Sequence, residues 1–163
     1  MTNSMNTLLA LLPGRLLLFV ILSGWLAGCA PAPTPTATTM PQTIQTFALA
    51  LSGTVLMLNG QPGDPDGSGS ATVTINLETN EICWEITASA ITLPARDAHI
   101  HRAPLDQDGP AVIHLTVPDE NGQAEGCTTG QIAQELLNHP ANFAVLVHTS
   151  DYVAGALRAQ LGP

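Results

Sequence analysis

Apolar residues in this chain recur at every second position, in short runs broken by turn residues, and that period decides the fold class. Phe47, Leu49 and Leu51 alternate, as do Val73, Ile75 and Leu77. After the turn Glu78-Thr79-Asn80-Glu81, Ile82, Trp84 and Ile86 do the same. A period of two puts one row of side chains on a core and the other in solvent, which is a half-buried strand. In Ala98-His99-Ile100-His101 the apolar pair and the histidine pair fall on opposite faces. Residues 111–117 are almost continuously apolar and read as a central strand; residues 143–148 and 156–161 complete the set. Turn signals such as Gly63-Asp64-Pro65-Asp66-Gly67 and Asp106-Gln107-Asp108-Gly109-Pro110 separate the runs. The expectation is an all-β antiparallel sandwich. One short helix is expected within residues 128–140. Thr128 or Thr129 can cap it, Ile132 and Leu136 share a face, Pro140 ends it, and His139 sits at its C-terminal dipole.

The N-terminus bears on location. Arg15 is the only charge before position 29, and residues 16–26 are almost wholly apolar. Such a run is short for spanning a bilayer core of about 30 Å but suits a cleaved export signal. It ends in Leu26-Ala27-Gly28-Cys29, which resembles the lipobox of bacterial lipoproteins. The resemblance implies a signal peptide over residues 1–28 and lipidation of Cys29, so that the protein is held in the cell envelope on its extracytoplasmic side. Residues 30–46 are rich in Pro, Thr and Ala without a charge. Residues 29–46 therefore read as a lipidated tether reaching up to about 50 Å, with a folded domain over residues 47–163.

Thirteen acidic residues stand against four arginines and no lysine, for a net charge of −9. Nucleic acid is excluded as a partner, because phosphate binding needs clustered basic residues. An anionic membrane surface would also repel the chain, so the lipid must hold it there. With Cys29 lipidated, Cys83 and Cys127 remain as an even pair in an oxidising compartment, and a disulfide between them is expected over two free thiols.

Three blocks occur in order: Ala98-His99-Ile100-His101; Gly109-Pro110-Ala111-Val112-Ile113-His114-Leu115; and Val145-Leu146-Val147-His148-Thr149 leading to Gly155-Ala156-Leu157-Arg158-Ala159-Gln160-Leu161. Together they resemble the CHRD domain, first named from chordin, over about residues 47–162. Cys83-Trp84 and Gly126-Cys127 resemble the cysteine pair of many bacterial members. The resemblance implies an immunoglobulin-like sandwich and leaves the activity open. The chain departs from the family pattern at Ala144 and Leu146, which replace Tyr and Asn, at Val153 and Ala159, which replace Pro and Gly, and in the Gly- and Asp-rich loop of residues 57–70.

His99 and His101 are two apart on a strand, so their imidazoles share a face about 6–7 Å apart along the chain. His148 joins them if the C-terminal strands pair alongside, and three neutral imidazoles suit copper or zinc. The His-x-His spacing resembles part of the copper site of Cu,Zn superoxide dismutases; that likeness covers the spacing alone. The same residues also fit a structural polar cluster in which His99, His101, His148 and Arg158 bond to Asp97 or Thr149, a buried Arg158 taking Asp97 or Asp151 as its carboxylate. His114 reads as an ordinary strand residue. Asp64-Pro65-Asp66-Gly67 and Asp106-Gln107-Asp108-Gly109 have calcium-loop spacing without the closing glutamate, and turns use the same residues.

No nucleophile elbow, Walker loop, dinucleotide fingerprint or zincin helix is present in the sequence. The expected function is a non-enzymatic binding module. Its partner would be a protein or an envelope polymer, met through an exposed apolar or aromatic patch that includes Tyr152. The competing class is a copper- or zinc-binding protein built on His99, His101 and His148, with redox activity open to it.

Overall fold

The alternating runs pair into sheet wherever their apolar rows can meet. The computed structural model describes residues 43–163; the segment expected to be a signal peptide, Cys29 and most of the expected tether lie outside them. Eight strands form β1 (Ile44–Ser52), β2 (Ser68–Asn76), β3 (Glu81–Ser89), β4 (Asp97–His101), β5 (Ala111–His114), β6 (Gln123–Thr129), β7 (Ala144–His148) and β8 (Leu157–Gln160). The one α-helix among the described residues, α1, is Ile132–Asn138. The strands run antiparallel in the order β5-β4-β7-β8-β1-β2-β3-β6. β1 meets β8 through a single register pair, Ser52 opposite Arg158. The sheet thus turns a corner there, giving a sandwich curled into a half-barrel. The two halves, β5-β4-β7-β8 and β1-β2-β3-β6, contribute to one core. Ile100, Ile113, Val145, Val147 and Leu157 come from the first, and Val73, Ile75, Ile82, Trp84 and Ile86 from the second.

Several expectations need correction. β1 opens at Ile44, inside the segment read as tether. The strand of residues 111–117 is an edge strand, and it ends at His114. β6 was not legible as a strand. The helix starts later than expected, with Gln131 as N-cap and no side-chain cap. Thr128 and Thr129 remain in β6, where they face Ile82 and Glu81 of β3. Cross-strand pairing over a full ladder outweighs one capping hydrogen bond of about 1 kcal/mol. Asp64 Oδ1 accepts the Asp66 N–H at 3.3 Å, the ordinary work of an Asp in a turn. Cys83 and Cys127 face each other across β3 and β6 and are disulfide-bonded.

Candidate functional site

β4 supplies the centre of the site. Asp97, His99 and His101 point to the face opposite Ala98 and Ile100, whose side chains enter the core. β7 pairs with β4 so that His148 lies opposite Asp97, Leu146 opposite His99 and Ala144 opposite His101. His148 is therefore the diagonal neighbour of His99, and His114 on β5 is its direct neighbour on the other side. The register slips between Ile100 and His101, so that His101 faces Ala111 past the extra residue Val112.

The imidazoles converge. Ring centroids lie 5.4 Å apart for His99 and His101, 5.2 Å for His99 and His148, and 5.6 Å for His101 and His148. One ring nitrogen from each of the three comes within 4.8 Å of the others. His101 and His148 are only 6% and 5% exposed. Each of the three imidazoles has one buried nitrogen without a hydrogen-bond partner among the described residues: Nδ1 of His99, Nε2 of His101 and Nε2 of His148.

The other nitrogens of the two buried rings are engaged. His101 Nδ1 donates to the Gly109 carbonyl at 3.0 Å, and His148 Nδ1 donates to the Val153 carbonyl at 3.1 Å. A neutral imidazole that donates through Nδ1 carries its lone pair on Nε2. Both lone pairs thus sit on the buried nitrogens left without a partner, in the tautomer that metal-bound histidines take when a carbonyl orients them. Each carbonyl comes from a loop held in place by close packing. A Cβ on Gly109 would lie 1.6 Å from the Arg102 carbonyl oxygen, so only glycine fits there. Gly155 has φ +135, and a Cβ would meet Met57 Sδ at 2.9 Å. Thr149, fully buried, accepts the Tyr152 N–H on Oγ1 at 3.1 Å and so shapes the turn that presents Val153.

Burial keeps the rings neutral. Desolvation lowers the pKa of His99, aided by His101 and His114 and opposed by Asp97. Desolvation also lowers His101, opposed by the Gly109 bond and aided by Arg158. His148 is pushed down to about 4, first by burial and then by the like charges of His99 and His101. Each partnerless buried nitrogen costs about 1–3 kcal/mol. Three of them on neighbouring rings form an unfavourable arrangement that a shared cation would relieve. The fit is to borderline cations: three neutral nitrogen donors suit Cu²⁺ or Zn²⁺, leaving a coordination position open.

Arg158 makes no salt bridge with a carboxylate among the described residues, although the charges of Asp106 and Asp108 favour its charged form against desolvation. Its Nη1 donates to the Leu56 carbonyl, and its Nη2 to the carbonyls of Ala103 and Pro104 and to Gln160 Oε1. Asp97 pairs instead with Arg96 at 3.4 Å. Arg158 is thus a clamp that draws two loops over the histidine face, and the expected bonding of the histidines to Asp97 or Thr149 does not form. A second grouping, Glu81 with Cys83 and Cys127, offers no thiolate because both sulfurs are in the disulfide. The aromatic patch expected around Tyr152 is absent among the described residues. Tyr152 is half-buried, and Trp84 and Phe143 are buried. Exposed aliphatic groups take its place on the loops nearby: Leu56 at 44%, Leu105 at 66% and Val153 at 63% exposure.

His99 and His101 were legible from spacing, and His148 only on the condition that the C-terminal strands pair alongside, as β7 does. The carbonyls of Gly109 and Val153, and the adjacency of His114, were not. A backbone oxygen leaves no trace in residue identity, and His114 needed the β4–β5 register. No curated protein and no solved structure gave a match to this chain. The family model of the CHRD domain matches residues 47–161, which takes in every strand of the site. On that match, the chain belongs to the CHRD-domain family.

Proposed function

We propose that this chain is a lipid-tethered, extracytoplasmic CHRD module of the cell envelope that holds one copper or zinc ion on His99, His101 and His148, without enzymatic activity. One observation carries the metal reading. One ring nitrogen from each of His99, His101 and His148 lies within 4.8 Å of the others, and each ring keeps one buried nitrogen without a hydrogen-bond partner among the described residues, in two of them because a loop carbonyl takes the other nitrogen. The tether reading is supported by Leu26-Ala27-Gly28-Cys29 and the Pro- and Thr-rich segment after it.

The test uses the full chain produced in a bacterium and extracted from the membrane fraction. Close to one equivalent of copper or zinc is expected by elemental mass spectrometry, lost in His99→Ala and in His148→Ala. The tether is checked in the same cells. Cys29→Ala should abolish incorporation of labelled fatty acid and release the protein from membranes. Metal-free wild type would overturn the metal reading. A water bound between the rings would then satisfy them, donating to the two Nε2 atoms and accepting from His99 as the Nδ1–H tautomer.

A second reading is supported by Leu56, Leu105 and Val153, exposed on the loops around the site. It makes the domain an interaction module for an envelope polymer or protein. Replacing all three by Ser should leave folding and metal content intact and abolish retention on isolated cell-wall polymer. Unchanged retention, or none in the wild type, counts against that reading.

A further inference from the structure

The three inner histidines are graded in burial, and a fourth continues the gradient outward. His101 and His148 are buried, His99 is half-buried, and His114 is exposed on the edge strand β5. The His114 ring lies 4.7 Å from that of His99, centroid to centroid and edge to face. It is the shortest spacing in the cluster. Yet His114 is outside the set whose nitrogens converge. Its side chain makes no hydrogen bond to another described residue.

We infer that His114 is an entry ligand, which takes a hydrated Cu²⁺ or Zn²⁺ ion from solvent and passes it by ligand exchange to His99. This inference rests on the metal reading above. The physical need is plain. An ion leaving water for a site built on two buried imidazoles must shed its hydration shell. Losing all of it in one step is far costlier than replacing one water at a time with a nitrogen. A ligand at the mouth, next to the half-buried ring, offers such a step. Other approaches are obstructed or poorly suited. The loops that carry Gly109 and Val153 hold the flanks through bonds to His101 and His148. Asp97 is paired with Arg96, and its oxygens suit harder ions.

An entry ligand has a kinetic signature that a permanent ligand lacks. It is bound to the ion in neither end state, so it lowers the barrier equally in both directions and leaves the affinity unchanged. The experiment is stopped-flow loading of the metal-stripped full chain in detergent with Cu²⁺ or Zn²⁺, and unloading into an excess of chelator. It compares wild type, His114→Ala, Asp97→Asn and His99→Ala. His114→Ala should slow loading and release alike by about tenfold, which is 1.36 kcal/mol on the barrier, with the dissociation constant within about twofold of wild type. Asp97→Asn should slow neither to that extent. Unaltered rates in His114→Ala overturn the inference. So does a loss of affinity in His114→Ala as large as that in His99→Ala, which would make His114 a permanent ligand. Wild type that takes up no metal overturns the metal reading itself, a different result from either. His114 is exposed on an edge strand, so the variant should keep the wild-type urea midpoint; a lower one would itself count against a purely kinetic role.

Discussion

At the scale of single residues, the cluster trades stability for neutral imidazoles. His148 titrates near 4 when folded and near 6.5 when unfolded, because burial and its histidine neighbours disfavour the cation. Above about 6.5 both states are neutral here, and the contribution to stability is fully present. As the pH falls, the unfolded chain takes up a proton that the folded chain refuses until about 4. The unfolded state then binds more protons, so stability falls with the pH across that window. Metal-stripped protein should lose on the order of 2–3 kcal/mol between pH 7 and pH 4 through this residue. Urea midpoints across that range are the check. His148→Gln should flatten the slope, and an unchanged slope would show that other groups set the acid limit. The same neutrality leaves lone pairs free for a cation at ordinary pH, so residue chemistry and proposed function point the same way.

At the scale of elements, the histidine face depends on loops as much as on strands. Strands β4 and β7 place three rings, the loops carrying Gly109 and Val153 orient two of them, and Arg158 on β8 holds the segments carrying Leu56, Ala103 and Pro104. Arg158→Met removes four hydrogen bonds from one buried charge and takes the donor from the Leu56 carbonyl, while the carbonyls of Ala103 and Pro104 keep the bonds from Gln160 and Gln107. A loss of about 2–3 kcal/mol is expected. Protease cleavage near residues 54–62 and 102–110 should appear before global unfolding, because those loops lose their common anchor. Cleavage confined to other sites would remove Arg158 from this role. Sequence patterning showed the strands whose apolar rows are long enough to count, such as Ile82, Trp84 and Ile86. It did not show β6, where Ala124 is the only apolar residue turned into the core and the rest is Gln, Glu, Gly, Cys and Thr. It also made a central strand of residues 111–117. Ile113 and Leu115 are buried there, but the ladder stops at His114 and Leu115 enters the core beyond it. The Arg158 clamp was illegible for a simpler reason: its acceptors are carbonyls, and a buried arginine in sequence suggests a carboxylate.

At the scale of the whole molecule, the fold separates what stabilises it from what gives it chemistry. The disulfide joins β3 to β6 at one edge of the sheet, while the histidines lie on β4, β5 and β7 at the other. Between them stand β8, β1 and β2, and the corner where β8 meets β1 is a single register pair. Closing a chain segment with a sequence separation of 44 residues constrains the unfolded ensemble, an effect of about 2–4 kcal/mol on the chain-entropy account. That effect acts on the unfolded chain and so does not reach the geometry of the site. Effects at distant positions without shared partners add independently. The double variant Cys83→Ala with Cys127→Ala should therefore lose about that much unfolding free energy and unfold at a lower urea concentration, yet bind copper or zinc with an affinity within about twofold of wild type at temperatures where it is folded. Chemical denaturation and metal titration of one preparation test both halves of the statement. A large loss of affinity in the folded variant would mean that the shared core couples the two halves mechanically, and that the disulfide is part of what holds His99, His101 and His148 together.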